Sequence, residues 1–426
     1  METIRGFVYS LKPTSAQEHL LTQTAGVVRL VYNLALEQRR IWGGRPYGGG
    51  APRYFGSKGL SGELSDLREA YDWIRSVSQT AQNQALVDLD RAFTNFFEGR
   101  AGYPTPRRKY ANDAFRQAGR EIQTRKINKR WSEVKIPKIG WVKYRDTRAL
   151  PHAEGCAPDI RNATIRRTAS GWEISIAVRY EIEDRPVPSA AQGVDRGVAI
   201  PFALSDGTTW LLPEAMEARQ KTIRRGQKIM SRRQRGSKRY AKARRRVARL
   251  KARDARTRAH LHHVLSRHLA DTCGMVAIED LKTCNMTASA KGTVEEPGKN
   301  VRQKAGLNGS ILNVGWYGFE LKLSYKMEET GGIIVKVDPR NTSRTCAECG
   351  AVDKESRKSQ AAFVCTTCGA AENADINAAK NILARALRSP EQEKAVEHVA
   401  SGRGGQGVSS QRSVKIPDQS VHLDGA

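Results

Sequence analysis

The chain has 426 residues, enough for two or three domains with hydrophobic cores of their own. It holds no run of eighteen apolar residues, and no apolar signal core in its opening METIRGFVYSLKP, which argues against a membrane-spanning or exported protein and for a soluble, cytosolic one. Seven cysteines, four of them in two close pairs, fit a reducing compartment with a metal site better than a disulfide framework. The 72 Lys and Arg against 44 Asp and Glu leave a net charge of +28, a self-repulsion that calls for a polyanion such as nucleic acid.

Residues 3 to 11, TIRGFVYSL, alternate like a strand. After Pro13, two overlapping capping boxes, Thr14 to Gln17 and Ser15 to Glu18, open a helix that is expected to run to about Arg40 with Leu20, Val27, Leu30, Val31 and Leu34 as its packing stripe. A Gly/Pro-rich stretch near 43 to 62 interrupts, and a second helical region from Leu64 to Phe97 carries Ala85, Leu89, Ala92, Phe93 and Phe96 at helical spacing. These helices read as a small bundle. From Tyr103 the texture turns to Pro, Gly, basic and aromatic residues, with strands at 134 to 146 and a hairpin at 163 to 181. A compact β module fed by the first strand is expected, ending near Pro186 to Pro188.

Beyond that boundary, QGVDRGVAIPFALSDGTTWLL contains a hairpin turn at Asp206-Gly207. The region after it is strongly basic: residues 219 to 258 hold 19 Lys and Arg against the single acid Asp254, so about +18 of the total +28 lies in forty residues. Gly236 is expected to break this region into a helical hairpin whose inner seam includes Tyr240, Ala243, Val247, Leu250, Leu261 and Val264. A solvated helical face would look similar, but the concentration of charge favours phosphate contact, with Arg224, Arg225, Arg232, Arg233, Arg235, Lys238, Arg239, Arg244 and Arg245 as the candidate nucleic-acid-binding residues. There follow a strand at 274 to 280, a polar Gly-containing stretch from 285 to 309, a helix through Trp316, Phe319, Leu323 and Met327, a strand at 332 to 338, and a helix from about Asn373 to Leu387. The Gly/Ser-rich remainder is expected to be disordered.

Two groups of residues carry chemistry. Cys346, Cys349, Cys365 and Cys368 form C-x2-C-x15-C-x2-C with a glycine after each pair, the spacing of two knuckles closing one tetrahedral zinc site. Four thiolates fill that coordination sphere, so the zinc would be structural. Cys156, Cys273 and Cys284 have no such partners. The second group is three acids: Asp195 in GVDRGV, Glu279 ending the apolar strand VAIED, and Asp375 opening the helix NADINAAKNIL. A carboxylate at the end of an apolar strand is costly to bury unless a cation compensates it. Two hard divalent ions about 3.5–4 Å apart would do so, and would clamp both the attacking and the leaving oxygen of a phosphodiester. On the last helix Asp375 shares a face with Ala378, Ala379 and Ile382, small enough for close packing against a sheet.

The series GVDRGV, AIEDLKTCNM, VDPRNTSRTCAECG…CTTCG and NADINAAKNIL resembles TnpB, the transposon-encoded RNA-guided nuclease, and its descendants, the compact type V CRISPR effectors. KPTSAQEHLLTQTAGVVRLVYNLAL, ALVDLDRAFTNFFEGRAGYP and VKIPKIGWVKYRD extend the resemblance, which covers about residues 3 to 388. It implies a multidomain α+β fold: an RNase H-like (RuvC) nuclease core with an inserted helical hairpin and a zinc knuckle, plus an N-terminal β-barrel wedge and a helical recognition lobe. In this sequence the wedge would occupy 1–12 and 103–187, the recognition lobe 13–102, and the core 188–345 with the basic hairpin at 214–270. The zinc segment would occupy 346–369, the last core helix 370–388, and the tail 389–426.

Carried over by position, the resemblance implies that Asp195, Glu279 and Asp375 bind two catalytic Mg²⁺ ions, that one Zn²⁺ is structural, and that Arg344 matches a basic position acting at the scissile phosphate. The partners it implies are a guide RNA and target DNA beside a short flanking motif, with no membrane. Arg196 after the first aspartate and the long 285-to-309 segment depart from the commonest pattern, and neither removes a carboxylate. An intact trio favours an active endonuclease over a non-cleaving RNA-guided DNA-binding protein or a transposase acting in strand transfer. Monomer and dimer, and a transposon or a CRISPR setting, stay open.

Overall fold

The computed structural model describes residues 2–43, 57–111, 113–152, 155–182 and 185–388. The expected disordered tail from 389, and the Gly/Pro-rich residues 44–56, lie outside the described residues. The chain divides into two compact units, the first comprising residues 1–184 and 213–257 and the second 185–212 and 258 onward.

The first unit starts with β1 (Glu2–Lys12), whose alternation buries Tyr9 and Leu11. The Thr14 amide donates to Gln17 Oε1 (3.1 Å) and the Gln17 amide to Thr14 Oγ1 (3.3 Å), the reciprocal capping box that starts α1 (Ser15–Gly43). Its buried face is Leu21, Ala25, Val28, Val31 and Ala35, whereas Leu20 and Leu34 of the expected stripe are exposed. The expected stripe is thus one position out of phase at both ends, because apolar neighbours such as Leu20 and Leu21 or Leu34 and Ala35 let two adjacent helical faces fit equally well. The second helical region is three helices, α2 (Ser57–Ala70), the single turn α3 (Asp72–Arg75) and α4 (Gln79–Phe97), the last capped by Ser78, whose Oγ accepts from the Ala81 amide. Ala85, Leu89 and Phe93 are buried as their spacing predicts.

Six further strands follow: β2 (Ala114–Ala118), β3 (Gln123–Asn128), β4 (Trp131–Ile136), β5 (Gly140–Arg145), β6 (Asp159–Thr168) and β7 (Gly171–Glu181). They form an antiparallel sheet in the order β2-β6-β7-β1-β5-β4-β3, with β1 at its centre. The end strands β2 and β3 are consecutive in the chain and are joined through a 3-10 turn at Gly119–Glu121. A Cβ on Gly119 would lie 1.7 Å from the Ile160 carbonyl oxygen, so only glycine permits that corner.

The basic hairpin is α5 (Glu214–Ser231) and α6 (Lys238–Thr272), separated where Gly236 adopts a φ of +86°. Gly226 of α5 lets Val247 of α6 come close, since a Cβ there would meet Val247 Cγ2 at 2.8 Å. The region's one acid, Asp254, is buried and accepts hydrogen bonds from Arg219 Nε (2.5 Å) and Gln220 Nε2 (2.8 Å). Sequence reasoning grouped this hairpin with the nuclease core. Up to Thr257 it packs with the first unit, where Arg256 reaches Ser170 Oγ in the β6–β7 turn at 2.8 Å.

The second unit is built on β8 (Ala191–Asp195), β9 (Phe202–Leu204), β10 (Thr209–Trp210), β11 (Met275–Glu279) and β12 (Ile333–Val337), in the order β10-β9-β8-β11-β12. The β9–β10 turn is the expected Asp-Gly hairpin, with the Thr208 amide donating to Asp206 Oδ1. β8, β11 and β12 are parallel. The short α7 (Thr283–Met286), α8 (Val301–Val314) and α9 (Trp316–Glu329) connect β11 to β12. α8 occupies part of the stretch read as irregular, because Gly306 and Gly309 hide the helical signal in its sequence. The hairpin of β13 (Ala362–Val364) and β14 (Ala371–Asn373) leads into α10 (Ala374–Leu387).

Strand alternation assigns the faces of this sheet. Val194, Val276 and Ile278 share a core with Leu265 and Leu269 at the end of α6 and with Phe319, Leu323 and Met327 of α9. Met275, Ala277, Val335 and Val337 point the other way and pack with Ile382 and Ala386 of α10. With a period of two, Asp195 and Glu279 fall on the α10 face.

Candidate functional site

Ile278 pairs with Val194 across the parallel β11–β8 ladder, so Glu279 and Asp195 stand side by side at the carboxyl ends of adjacent strands. α10 brings the third acid. A Cβ on Gly193 would lie 2.1 Å from the Ala379 carbonyl oxygen and 2.9 Å from Leu383 Cβ. Gly193 thus seats the helix directly on β8, two residues before Asp195. Asn373 caps α10 by accepting from the amides of Asp375 (2.9 Å) and Ile376 (3.3 Å), which places Asp375 in the first turn, one turn from Ala379.

The electrostatics fit this convergence. The Asp195 carboxyl is pushed up to about 7, first by burial and then by the charges of Glu279 and Asp375, against the pull of the Arg196 amide and Arg357. Burial also raises Glu279, opposed by hydrogen bonding from Thr342 and by the charge of Arg196, and raises Asp375, opposed by Arg357. Asp195 still keeps some surface open to solvent. Three largely buried carboxyls, one of them raised further by the charges of the other two, suit hard divalent cations, whose charge offsets both burial and repulsion.

Several neighbours went unrecognised in the sequence. Arg357, between the cysteine pairs, pairs with Asp375 Oδ1 at 3.5 Å. Thr342 Oγ1 donates to Glu279 Oε1 at 2.6 Å. The Arg196 guanidinium is buried, donates to the Glu279 carbonyl and pairs with Glu320 at 2.9 Å, while Glu320 also meets Lys336 Nζ at 2.5 Å. Arg344 is exposed, and its side chain has no partner among the described residues.

The four cysteines converge as their spacing predicts. Among the described residues they are the set of metal-ligand atoms lying within 4.8 Å of one another, with Cys346 Sγ 3.7 Å from Cys368 Sγ and Cys349 Sγ 3.7 Å from Cys365 Sγ. The amides of Cys368 and Thr367 point at the Cys365 sulfur and hold its thiol down to about 6, whereas at Cys368 the pull of the Ala370 amide is outweighed by hydrogen bonding with Cys349 and Cys365, which pushes the thiol up to about 12. Four sulfurs within one tetrahedron's reach fit zinc.

On the hairpin, Arg224, Arg225, Arg232, Arg233, Arg235, Lys238, Arg239, Arg244 and Arg245 are all exposed, and none has an ion pair among the described residues. No helix among the described residues is long and apolar enough to cross a membrane.

Comparison with solved structures places this fold among mixed α/β multidomain proteins. A Cas12f1 in complex with sgRNA and target DNA aligns over 88% of this chain and 83% of that one, with a TM-score of 0.52 at 17% identity. Family models match residues 316–382 ("Cas12f1-like, TNB domain"), 175–290 ("Probable transposase", OrfB of IS605) and 1–42 ("Helix-turn-helix domain"). In the last of these regions the chain forms a strand, β1, and most of one unbroken helix, α1. The "Putative RNA-guided DNA endonuclease InsQ" of Escherichia coli (strain K12) is 36% identical over 90% of this chain and 92% of its own length. A protein of Streptomyces pristinaespiralis is 30% identical over 90% and 89%. The chain belongs to the TnpB family.

Proposed function

We propose that this chain is an RNA-guided DNA endonuclease, with the second unit an RNase H-like (RuvC-type) core that hydrolyses phosphodiester bonds. The observation that carries the reading is the meeting of Asp195, Glu279 and Asp375 at the end of a parallel strand pair, close enough that the other two acids help to raise the Asp195 carboxyl to about 7. The names of the similar proteins, RNA-guided DNA endonucleases in two organisms, support it.

Asp195, Glu279 and Asp375 would hold two Mg²⁺ ions, which supply Lewis-acid stabilisation of the phosphodiester oxygens. The chain's own groups do the rest. Glu279 offers one oxygen while Thr342 holds the other. Arg357, beside Asp375, carries positive charge to the place where a phosphate would gather negative charge. Arg344, exposed near the first cysteine, would act on the same backbone from outside the carboxylate cluster. The four thiolates would hold one structural zinc.

We assign residues 1–12 and 103–187, which carry the seven-stranded sheet, to a wedge module and the helices of 13–102 to a recognition lobe. The exposed cations of α5 and α6 would contact phosphates. Such contacts position nucleic acid without reading bases, so guide pairing would supply the sequence information. The deciding experiment is to purify the full chain with its co-purifying RNA, sequence that RNA, and offer the complex plasmids carrying the matching target beside randomised flanks, with and without Mg²⁺. Mg²⁺-dependent cutting of matched plasmids alone is expected. Cutting that ignores the guide, or a requirement for transposon ends in place of a guide, would overturn the reading.

A further inference from the structure

The loop from Asn341 to Ala347 joins the catalytic carboxylates to the cysteine cluster, and two asparagines hold it from one side. Asn377 and Asn381 lie one turn apart on α10, and both are buried. Asn381 Nδ2 donates to the carbonyls of Thr342 (3.0 Å) and Thr345 (2.6 Å). Asn377 Nδ2 donates to the Thr345 carbonyl (2.8 Å), and its Oδ1 accepts from the Ala347 amide (2.9 Å), next to Cys346. Amides in a helix interior give up some helix propensity and are costly to bury unpaired, so this arrangement has a purpose beyond filling space.

That purpose is visible at Thr342, itself buried. Its hydroxyl lies 2.6 Å from Glu279 Oε1 and 3.1 Å from the Pro339 carbonyl. One proton serves one acceptor, and the shorter, charged partner takes it. Glu279 Oε2 has no hydrogen bond within the protein among the described residues. The carboxylate is therefore pinned through one oxygen, and the other is left without a hydrogen bond among the described residues.

We propose that Thr342 is the positioning residue of Glu279, and that Asn377 and Asn381 hold its backbone in place, so that α10 sets both its own Asp375 and the orientation of a carboxylate on β11. The inference rests on Glu279 being a ligand of a divalent cation. A partner that orients a metal ligand is worth about 10- to 100-fold in metal affinity or activity when removed.

The test is Mn²⁺ binding, read from the loss of the free-ion electron paramagnetic resonance signal on titrating the full chain, stripped of nucleic acid at high salt with its zinc retained. Thr342→Val, which keeps the shape and removes the hydroxyl, is expected to weaken the tightest Mn²⁺ site about 10- to 100-fold. Thr342→Ser restores the hydroxyl and should restore affinity, a rescue that a purely packing role would not show. Asn381→Ala keeps the hydroxyl but frees the loop, and should weaken binding while leaving zinc content unchanged.

Asp195→Ala separates the two levels of the argument. If it abolishes the tight site while Thr342→Val binds like the unaltered chain, the positioning role fails alone. If the unaltered chain has no tight Mn²⁺ site, or Asp195→Ala leaves it intact, the carboxylate reading beneath it falls as well. Should Thr342→Val not fold, unchanged Mn²⁺ affinity in Asn381→Ala overturns the proposal.

Discussion

Replacing Gly193 by alanine tests how tightly the site depends on α10. The new Cβ would stand 2.1 Å from the Ala379 carbonyl oxygen, with Leu383 Cβ at 2.9 Å and the Leu383 nitrogen at 3.0 Å. Backbone cannot rotate aside as a side chain can, so the helix must withdraw by about 0.9 Å to restore a 3.0 Å contact. Overpacking of this kind costs about 1–3 kcal/mol, and each kcal/mol lowers Tm by roughly 2–4 °C in a domain of 150–250 residues. The effect on cutting should be larger. Asp375 lies one turn from Ala379, and a misplacement of about 1 Å at a reacting centre can cost on the order of 100-fold. Gly62→Ala is the control, because a Cβ there meets nothing within 4 Å and an alanine in a helix should, if anything, stabilise. Single-turnover plasmid cutting at saturating Mg²⁺ and thermal melting give the two readouts. A Gly193→Ala protein that melts and cuts within twofold of the unaltered chain would refute the account of how the acids are brought together.

Asp195→Ala, Glu279→Ala and Asp375→Ala should each abolish Mg²⁺-dependent cutting and leave nucleic-acid affinity in filter binding nearly unchanged, since each would remove a proposed cation ligand and no phosphate contact. Elemental analysis of the freshly purified chain should find about one zinc, and Cys346→Ser or Cys365→Ser should lose it together with thermal stability, because metal binding feeds directly into folding. Arg232→Ala/Arg233→Ala and Arg244→Ala/Arg245→Ala should weaken RNA and DNA binding alike for every sequence, with the slope of log K against log salt flatter by roughly 0.7–0.9 per lost contact; unchanged affinity and slope would mean a merely solvated helical face. In the absence of divalent cations, Asp195→Asn should raise Tm at pH 8, with the gain fading as pH falls from about 7 toward the ordinary aspartate value of 3.8, as read by melting curves across that range.

Much of the site was legible because its parts sit at the ends of regular elements. The apolar run that stops on Glu279 announces itself by hydropathy and the alanines of α10 announce a helix made for close packing, whereas Asp195 in GVDRGV ends no such run and owes its assignment to the family resemblance. Cysteine spacing is a local pattern that needs no fold to interpret. What escaped was what loops bring in. Arg357 and Thr342 lie in non-periodic segments, and their partners are 18 and 63 positions away in sequence. Gly193 reads as any strand glycine until the helix above it is known. β3 escaped for a related reason: Gln123–Asn128 is mostly exposed, so an end strand held by backbone pairing carries little of the apolar alternation that marks a strand from sequence.

The pH behaviour of Asp195 bears on what the trio is for. A carboxyl held at about 7 in the folded chain, against 3.8 for an ordinary aspartate, is protonated in the fold at pH values where the unfolded chain has already lost its proton. Folding is therefore penalised as pH rises toward 7 and the full penalty stands above it, so stability from this group is greatest at low pH. A structural ion-pair cluster has the opposite sign, because its acids are depressed by partners and lose their contribution on acidification. Asp90 in the first unit is such a case: hydrogen bonds from Ser57 and Arg39 and the Arg39 charge outweigh its desolvation and hold it below the usual carboxylate range. Asp195, Glu279 and Asp375 are all raised, and the nearby cations Arg357 and Arg196 reduce that effect without reversing it. The fold thus keeps three acids together at a net cost to its own stability. Divalent cations bound there would reverse that cost, which is the property the proposed nuclease site requires.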